Sequence, residues 1–410
     1  MAVLAKGSPS GSSAVAAAES HQGTTAPPST VPAPSAGAPP KENEALVALG
    51  RSIFFDRTLS EPPGTSCESC HDSTRAFAGN NGSTTGVAQG SRPGHFAKRN
   101  TPSVLYLKFV RAFHLHWEED APLPDAAGGF FWDGRVDSIV DLVKGPLLDP
   151  DEMNNGDGRA VARKIAAAPY ADTFRRAFGD VLDDGDATLK AVGAAEEAFL
   201  TSSTMSPFSS KFDEFLQGRA TLTPVEARGL ALFRDHAKGG CDTCHRINEK
   251  IPDPKRSPFT DYEYDSVGIP RNRRTAANRD DPAYHDLGLC QRPEPKFGSS
   301  AQRYCGSFRT PSLRNVAVRR SFMHNGTFSS LRDVVAFYAS GRTDPARWYG
   351  GSEAFDDLPP KYREYVNVND APYNRTKGQA PALNDDEIDA IVAFLETLTD
   401  SEFRVGSSTN

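Results

Sequence analysis

The sequence predicts a mainly α-helical protein built as two similar halves, with long loops and little β structure. Three observations point there. Apolar residues recur at helical spacing, as at Leu46, Leu49, Ile53 and Phe54. A Cys-x-x-Cys-His pentapeptide occurs twice, at Cys67–His71 and at Cys241–His245. Short similar segments flank both copies in the same order, so the chain reads as an internal repeat.

With 410 residues the chain has room for two or three domains. It is 38% hydrophobic, enough for globular cores, and carries no apolar run of the roughly 18 residues a membrane span needs. The net charge is −7 without a basic cluster, which argues against a nucleic-acid partner.

Residues 1–41 are dominated by Ala, Ser, Pro, Gly and Thr and are expected to form a disordered leader. The repeat divides the remainder into a first domain at 42–218, a second at 219–402 and a tail at 403–410. In the first domain a Pro-Gly turn at Pro62–Gly64 leads into Cys67, and Gly79 to Gly94 reads as a surface loop. A Pro-rich loop is expected over 121–129, then an apolar helix that Gly145-Pro146 should stop. Residues 158–216 read as helices with Phe174, Phe178, Phe199, Phe212 and Phe215 as core. Thr223-Pro224-Val225-Glu226 has capping-box spacing and opens the second domain. Residues 246–308 form a long insertion, and a last helix spans 385–398. Cys290 and Cys305 fall inside the insertion and are expected to pair in an oxidising compartment, the alternative being two free thiols.

Cys-x-x-Cys-His is the attachment signature of c-type heme. The thiols become thioethers to the porphyrin, and the His lies under the iron. Four of six cysteines serve the two motifs, so two covalent heme c groups are expected. Cys67, Cys70 and His71 hold the first, and Cys241, Cys244 and His245 the second. Each half then reads as a cytochrome c unit. Such attachment takes place outside the cytoplasm and points to the periplasm, although no signal peptide is visible in the sequence.

The repeat also locates the far face of each heme. Gly50-Arg51-Ser52-Ile53-Phe54 matches Gly229-Leu230-Ala231-Leu232-Phe233, and Thr101-Pro102-Ser103 matches Thr310-Pro311-Ser312. Trp132-Asp133-Gly134 matches His324-Asn325-Gly326. Twelve residues beyond Gly326 stands Tyr338, and twelve beyond Gly134 stands Pro146. A phenol oxygen can bind ferric iron and proline cannot. The second iron therefore gains Tyr338 as sixth ligand, while the first, with His71 alone, keeps an open position for peroxide. The alternative for Tyr338 is a core tyrosine beside Val334, Val335 and Phe337. Met153, Met205 and Met323 fall off the Tyr338 register, which weakens the case for a methionine ligand. Glu152, six residues past Pro146, suits proton transfer during O–O cleavage, the alternative being a solvated carboxylate beside Asp149 and Asp151. Trp132 is either an electron relay between hemes or a packed core residue. His95, His114 or His116 would cap the first heme if the protein were a non-catalytic electron carrier.

Several segments together resemble the bacterial diheme cytochrome c peroxidase superfamily, in its MauG-like branch. They are Phe54–Ser60, Ser66–His71, Phe131–Arg135, Gly145–Met153, Thr310–Asn315 and Phe322–Gly326. Ordinary members carry methionine where Tyr338 stands, and MauG-like members carry tyrosine. The resemblance implies Trp132 between the hemes and Glu152 over the peroxide-binding heme. It also implies a calcium ion at the Asn100 side chain and the Arg319 and Ser321 carbonyls. The implied activity is use of hydrogen peroxide to form a high-valent two-heme state that oxidises Trp or Tyr residues of a partner protein. The rivals are a peroxidase fed by a small redox protein and the electron carrier. Two positions depart from the family pattern: Leu142, where Gln is frequent, and Gly239, where MauG-like members have a surface Trp.

Overall fold

The computed structural model describes residues 43–117, 124–247, 257–293, 297–351 and 353–404. The expected leader and the end of the expected tail lie outside the described residues. Twelve α-helices are described: α1 (Glu44–Phe54), α2 (Cys67–Cys70), α3 (Ile139–Leu148), α4 (Gly158–Ala167), α5 (Ala171–Phe178), α6 (Gly185–Leu200), α7 (Lys211–Leu216), α8 (Pro224–Arg234), α9 (Ala276–Asp280), α10 (Leu331–Ser340), α11 (Pro345–Trp348) and α12 (Asp385–Glu396). Strands are few and short. β1 (His114–His116) pairs antiparallel with β2 (Asp125–Ala127), and β3 (Tyr264–Asp265) with β4 (Phe308–Arg309). The mainly helical expectation is met.

The same helix crossing is built twice, α1 on α6 and α8 on α12. Each crossing is close because a glycine stands at it. A Cβ on Gly50 would collide with the Ala195 carbonyl, and one on Gly229 with the Ala390 carbonyl. Aromatic pairs then fill the gap edge to face, Phe54 on Phe199 at 5.5 Å and Phe233 on Phe394 at 5.2 Å. All four rings are at most 4% exposed, and burying each contributes about 1.5–3 kcal/mol.

A second repeated unit places the helices that carry residues 146 and 338. Phe130 bridges Val136 in one half, and Phe322 bridges Phe328 in the other. The chain reverses between them with Phe131 and Gly134 at φ 63° and 65°, and Met323 and Gly326 at 66° and 68°. Ser138 and Ser330 follow as N-caps, accepting from Asp141 N at 3.1 Å and Asp333 N at 3.3 Å. Both helices, α3 and α10, are 10 residues long, so Pro146 and Tyr338 fall on the same turn.

Some expectations need correction. Gly145-Pro146 does not stop α3, which runs on to Leu148. Proline removes only one backbone donor there, close to the helix end, and α3 is held against α6, where Gly193 lets Val140 approach. The 79–94 loop is not purely superficial: Val87 and Ala88 are buried, and Gly86 crosses the Gly326 backbone so closely that neither tolerates a Cβ. The 121–129 stretch ends in β2, with 121–123 outside the described residues. The last helix is capped at Thr397. Cys290 and Cys305 are bonded, with Cα atoms 4.8 Å apart.

Candidate heme centres

α2 carries the first motif, closed by a Ser66–Ser69 capping box, and its C-cap is His71. The second motif begins on a tight turn after Gly240, whose φ of 54° suits glycine. The two histidines are then clamped in the same way. His71 Nδ1 lies 3.2 Å from the Phe77 carbonyl, and His245 Nδ1 lies 3.1 Å from the Phe259 carbonyl. Phe77 and Phe259 both sit at positive φ, 53° and 56°, which turns their carbonyls inward. Ser103 and Ser312 tie the surrounding loops by donating to Ala76 O and Pro258 O, each at 2.6 Å. A carbonyl at Nδ1 fixes the tautomer and leaves Nε2 free for a metal. Burial lowers both imidazoles to about 4, so both are neutral, as an iron ligand must be.

The second motif opens on a cavity with about 1390 Å³ of empty space, part of it open to solvent. Cys241, Cys244 and His245 line it together with Phe233, Tyr338 and Trp132. Two thiols and a neutral imidazole facing a large apolar cavity fit a covalently attached heme. Tyr338 is half-buried rather than sealed in the core, and its hydroxyl donates to Met323 Sδ at 3.9 Å. Burial raises its phenol well above the usual range. Tyr373 packs edge-on against it with ring centroids 5.5 Å apart.

The first motif has the same clamp, with Phe54 6.3 Å from the His71 ring. The Cys70 thiol is pushed up to about 12, first by burial and then by the nearby Glu152 carboxylate. The Glu152 backbone is fixed on both sides, N donating to Asp149 O at 3.1 Å and O accepting from Ser91 N at 2.7 Å. Burial, then Asp149 and Asp151, raise the carboxyl to about 7, against the pull of Arg135. Pro146 occupies the turn equivalent to Tyr338 and offers no donor.

Trp132 is 8% exposed, and its indole nitrogen donates to Asn100 O at 2.8 Å. Around it the two repeats exchange backbone bonds symmetrically, Arg309 N to Trp132 O at 2.8 Å and Asn100 N to His324 O at 2.7 Å.

The alternative ligands to the first iron are engaged elsewhere. His95 pairs with Asp151 at 3.0 Å, His114 with the Ala112 carbonyl, and His116 faces Asp125 and Glu263. The calcium expectation brings Asn100 and Ser321 together: the Asn100 amide nitrogen lies 3.1 Å from Ser321 O and 3.0 Å from Met323 O, and Ser321 Oγ donates to Asn100 Oδ1. Carbonyls converge there, yet the amide already satisfies them. None of Asn100, Arg319 and Ser321 is a carboxylate, and desolvation of the half-buried Arg319 guanidinium lowers its pKa to about 10. As arranged, these donors fit a calcium ion poorly.

Sequence reasoning missed three residues. Glu196 is 1% exposed on α6, with neither carboxyl oxygen partnered among the described residues, and it raises the Cys67 thiol. Tyr373 carried no local signal, since it reaches Tyr338 from a loop. Met323 does not stand at the Tyr338 register, yet its sulfur meets the Tyr338 hydroxyl. The repeat held the signal for it, because Met323 aligns with Phe131 beside Pro146.

Comparison with known proteins agrees with this geometry. Residues 44–221 match the family model for di-haem cytochrome c peroxidase. The methylamine utilization protein MauG of Paracoccus denitrificans is 34% identical, over 88% of this chain and 90% of its own length. The chain belongs to the diheme cytochrome c peroxidase family. Cytochrome-c peroxidase IdrP2 of a Pseudomonas species is 30% identical over 73% of the chain and 74% of its own length. Among solved structures, the diheme peroxidase BthA from Burkholderia thailandensis superposes with a TM-score of 0.84, at 47% identity over 88% of both chains. The protein is thus a heme-dependent oxidoreductase of the peroxidase type, and its family carries two c-type hemes. Among the described residues no helix is long and apolar enough to cross a membrane.

Proposed function

We propose that this diheme peroxidase takes hydrogen peroxide at the His71 centre and uses the oxidising equivalents on Trp or Tyr residues of a partner protein. The observation that carries this reading is the unequal pair on α3 and α10: Pro146, which offers no ligating atom, and Tyr338, which lines the cavity with His245. Residues 42–218 hold the peroxide centre and 219–402 the six-coordinate one, and the compartment is the periplasm.

When bound, the hemes supply redox-active iron and the sites at which oxidising equivalents are held. The protein supplies the rest. His71 and His245 are held neutral by burial and oriented by the Phe77 and Phe259 carbonyls. Glu152 accepts the proton of the inner peroxide oxygen and delivers it to the outer one. Its carboxyl is half-buried and poised at about 7, which favours that exchange near neutral pH. Trp132, fixed by the Asn100 carbonyl, relays charge between the centres. Were Tyr338 to give up its proton and hold an iron together with His245, its anionic oxygen would favour the more oxidised state, and so storage over rapid reduction. That distinguishes the reading from a peroxidase fed by a small redox protein, whose second centre must accept electrons readily.

The test is stoichiometric peroxide followed by two substrates. With a reduced small cytochrome or copper protein, the reading expects slow turnover. With a Trp- and Tyr-bearing protein, it expects covalent oxidation detected by mass spectrometry. Fast turnover with the redox protein and no modified residue would favour the conventional peroxidase. Calcium at Asn100, Arg319 and Ser321 belongs to the same proposal and requires the Asn100 amide to turn over. Chelation should then change activity and the second-centre spectrum, and no change would remove the ion.

A further inference from the structure

Met323 Sδ accepts from the Tyr338 hydroxyl at 3.9 Å, and both side chains line the cavity that contains His245. The backbone fixes where Met323 points: it sits at φ 66° in the reversal closed by the Phe322–Phe328 bridge. Its counterpart Phe131 sits at φ 63°, and a Cβ on Gly145 would lie 3.1 Å from the Phe131 ring. Phe131 therefore packs one residue from Pro146, as Met323 packs on Tyr338. In the first half neither neighbour of the distal face can bind iron. In the second half both can, one through oxygen and one through sulfur.

We propose that Met323 is a reserve axial ligand for the iron at His245, exchanging with Tyr338. This rests on Tyr338 being the resident ligand. Phenolate is a hard anion and favours ferric iron, whereas a thioether is soft and neutral and favours the ferrous state. Methionine has three rotatable bonds, so its sulfur can be redirected within the cavity without backbone movement. Tyr373 is the anchored neighbour of the pair, since its carbonyl accepts from Arg342 Nη1 at 2.6 Å. When an external one-electron donor reduces the iron, the Fe–O bond to Tyr338 breaks and an Fe–S bond to Met323 forms. The phenolate takes a proton from solvent. Removal of the electron reverses each change and returns the proton. The exchange gives one centre two settings, one suited to storing oxidising equivalents and one to accepting electrons.

The experiment compares the holoprotein with Tyr338→Phe, Met323→Leu and the double variant. Near-infrared magnetic circular dichroism reads the ferric form, and resonance Raman reads the dithionite-reduced form. Met323→Leu conserves volume closely, and heme content confirms that each variant has matured. The proposal expects ferric Tyr338→Phe to keep a low-spin second centre with a thioether charge-transfer band. The double variant should lose both. Reduced wild type should be six-coordinate at this centre and reduced Met323→Leu five-coordinate. A high-spin ferric Tyr338→Phe without the band, together with a reduced Met323→Leu identical to wild type, overturns the proposal and leaves the Tyr338 reading intact. A ferric spectrum unchanged by Tyr338→Phe sinks the Tyr338 reading and the reserve ligand with it.

Discussion

The two halves share a main-chain frame and part company at a few side chains. Gly50 and Gly229 make the same helix crossing, Ser138 and Ser330 cap the same helix, and Phe77 and Phe259 clamp the two histidines alike. On that common frame Pro146 stands against Tyr338, Phe131 against Met323, Trp132 against His324 and Glu196 against Ile391. Residues with backbone duties build the site twice. The side chains hung on equivalent positions then decide which centre is open, which is closed and how they communicate.

The largest expected effect comes from erasing the difference. Pro146→His places an imidazole on the turn equivalent to Tyr338. It should convert the first centre to low spin and abolish its reaction with peroxide, as followed by stopped-flow absorbance. Next is Glu152, whose register counterpart in the second half, Asp344, instead caps α11. Glu152→Gln should slow peroxide cleavage by about 10²–10⁴-fold. Burial raises this carboxyl to about 7, so it is protonated below that pH and able to accept a proton above it. The wild-type rate should therefore rise with pH through about 7, and the Gln variant should lose that inflection. Trp132→Phe should leave peroxide binding at the first centre in place while the second-centre signal no longer responds. The smallest effect concerns stability. Among the described residues the buried Glu196 carboxyl has no partner, where the other half has Ile391, which is 1% exposed. Glu196→Ile should raise unfolding free energy by about 1–3 kcal/mol in urea titration at neutral pH.

Much of this was readable in the sequence because covalent chemistry and backbone geometry leave local marks. Cys67–His71 and Cys241–His245 announce themselves, and the matched glycines fix a register that the two 10-residue helices reproduce. The continuation of α3 through Pro146 was misread because a helix can forgo one donor when a partner helix supports it. Met323, Tyr373 and Glu196 escaped for a different reason. Each reaches its site through packing between distant segments, which helical periodicity does not record. The buried centre of the 79–94 loop is the same case, since distant segments such as Gly326 and Asn272 cover it.

The most direct test of the unequal pair is low-temperature EPR of the ferric holoprotein before and after one equivalent of peroxide. The account predicts one high-spin signal and one low-spin signal of His/Tyr type, both lost together on peroxide addition. Two low-spin signals indifferent to peroxide would contradict it, since neither centre would then be open.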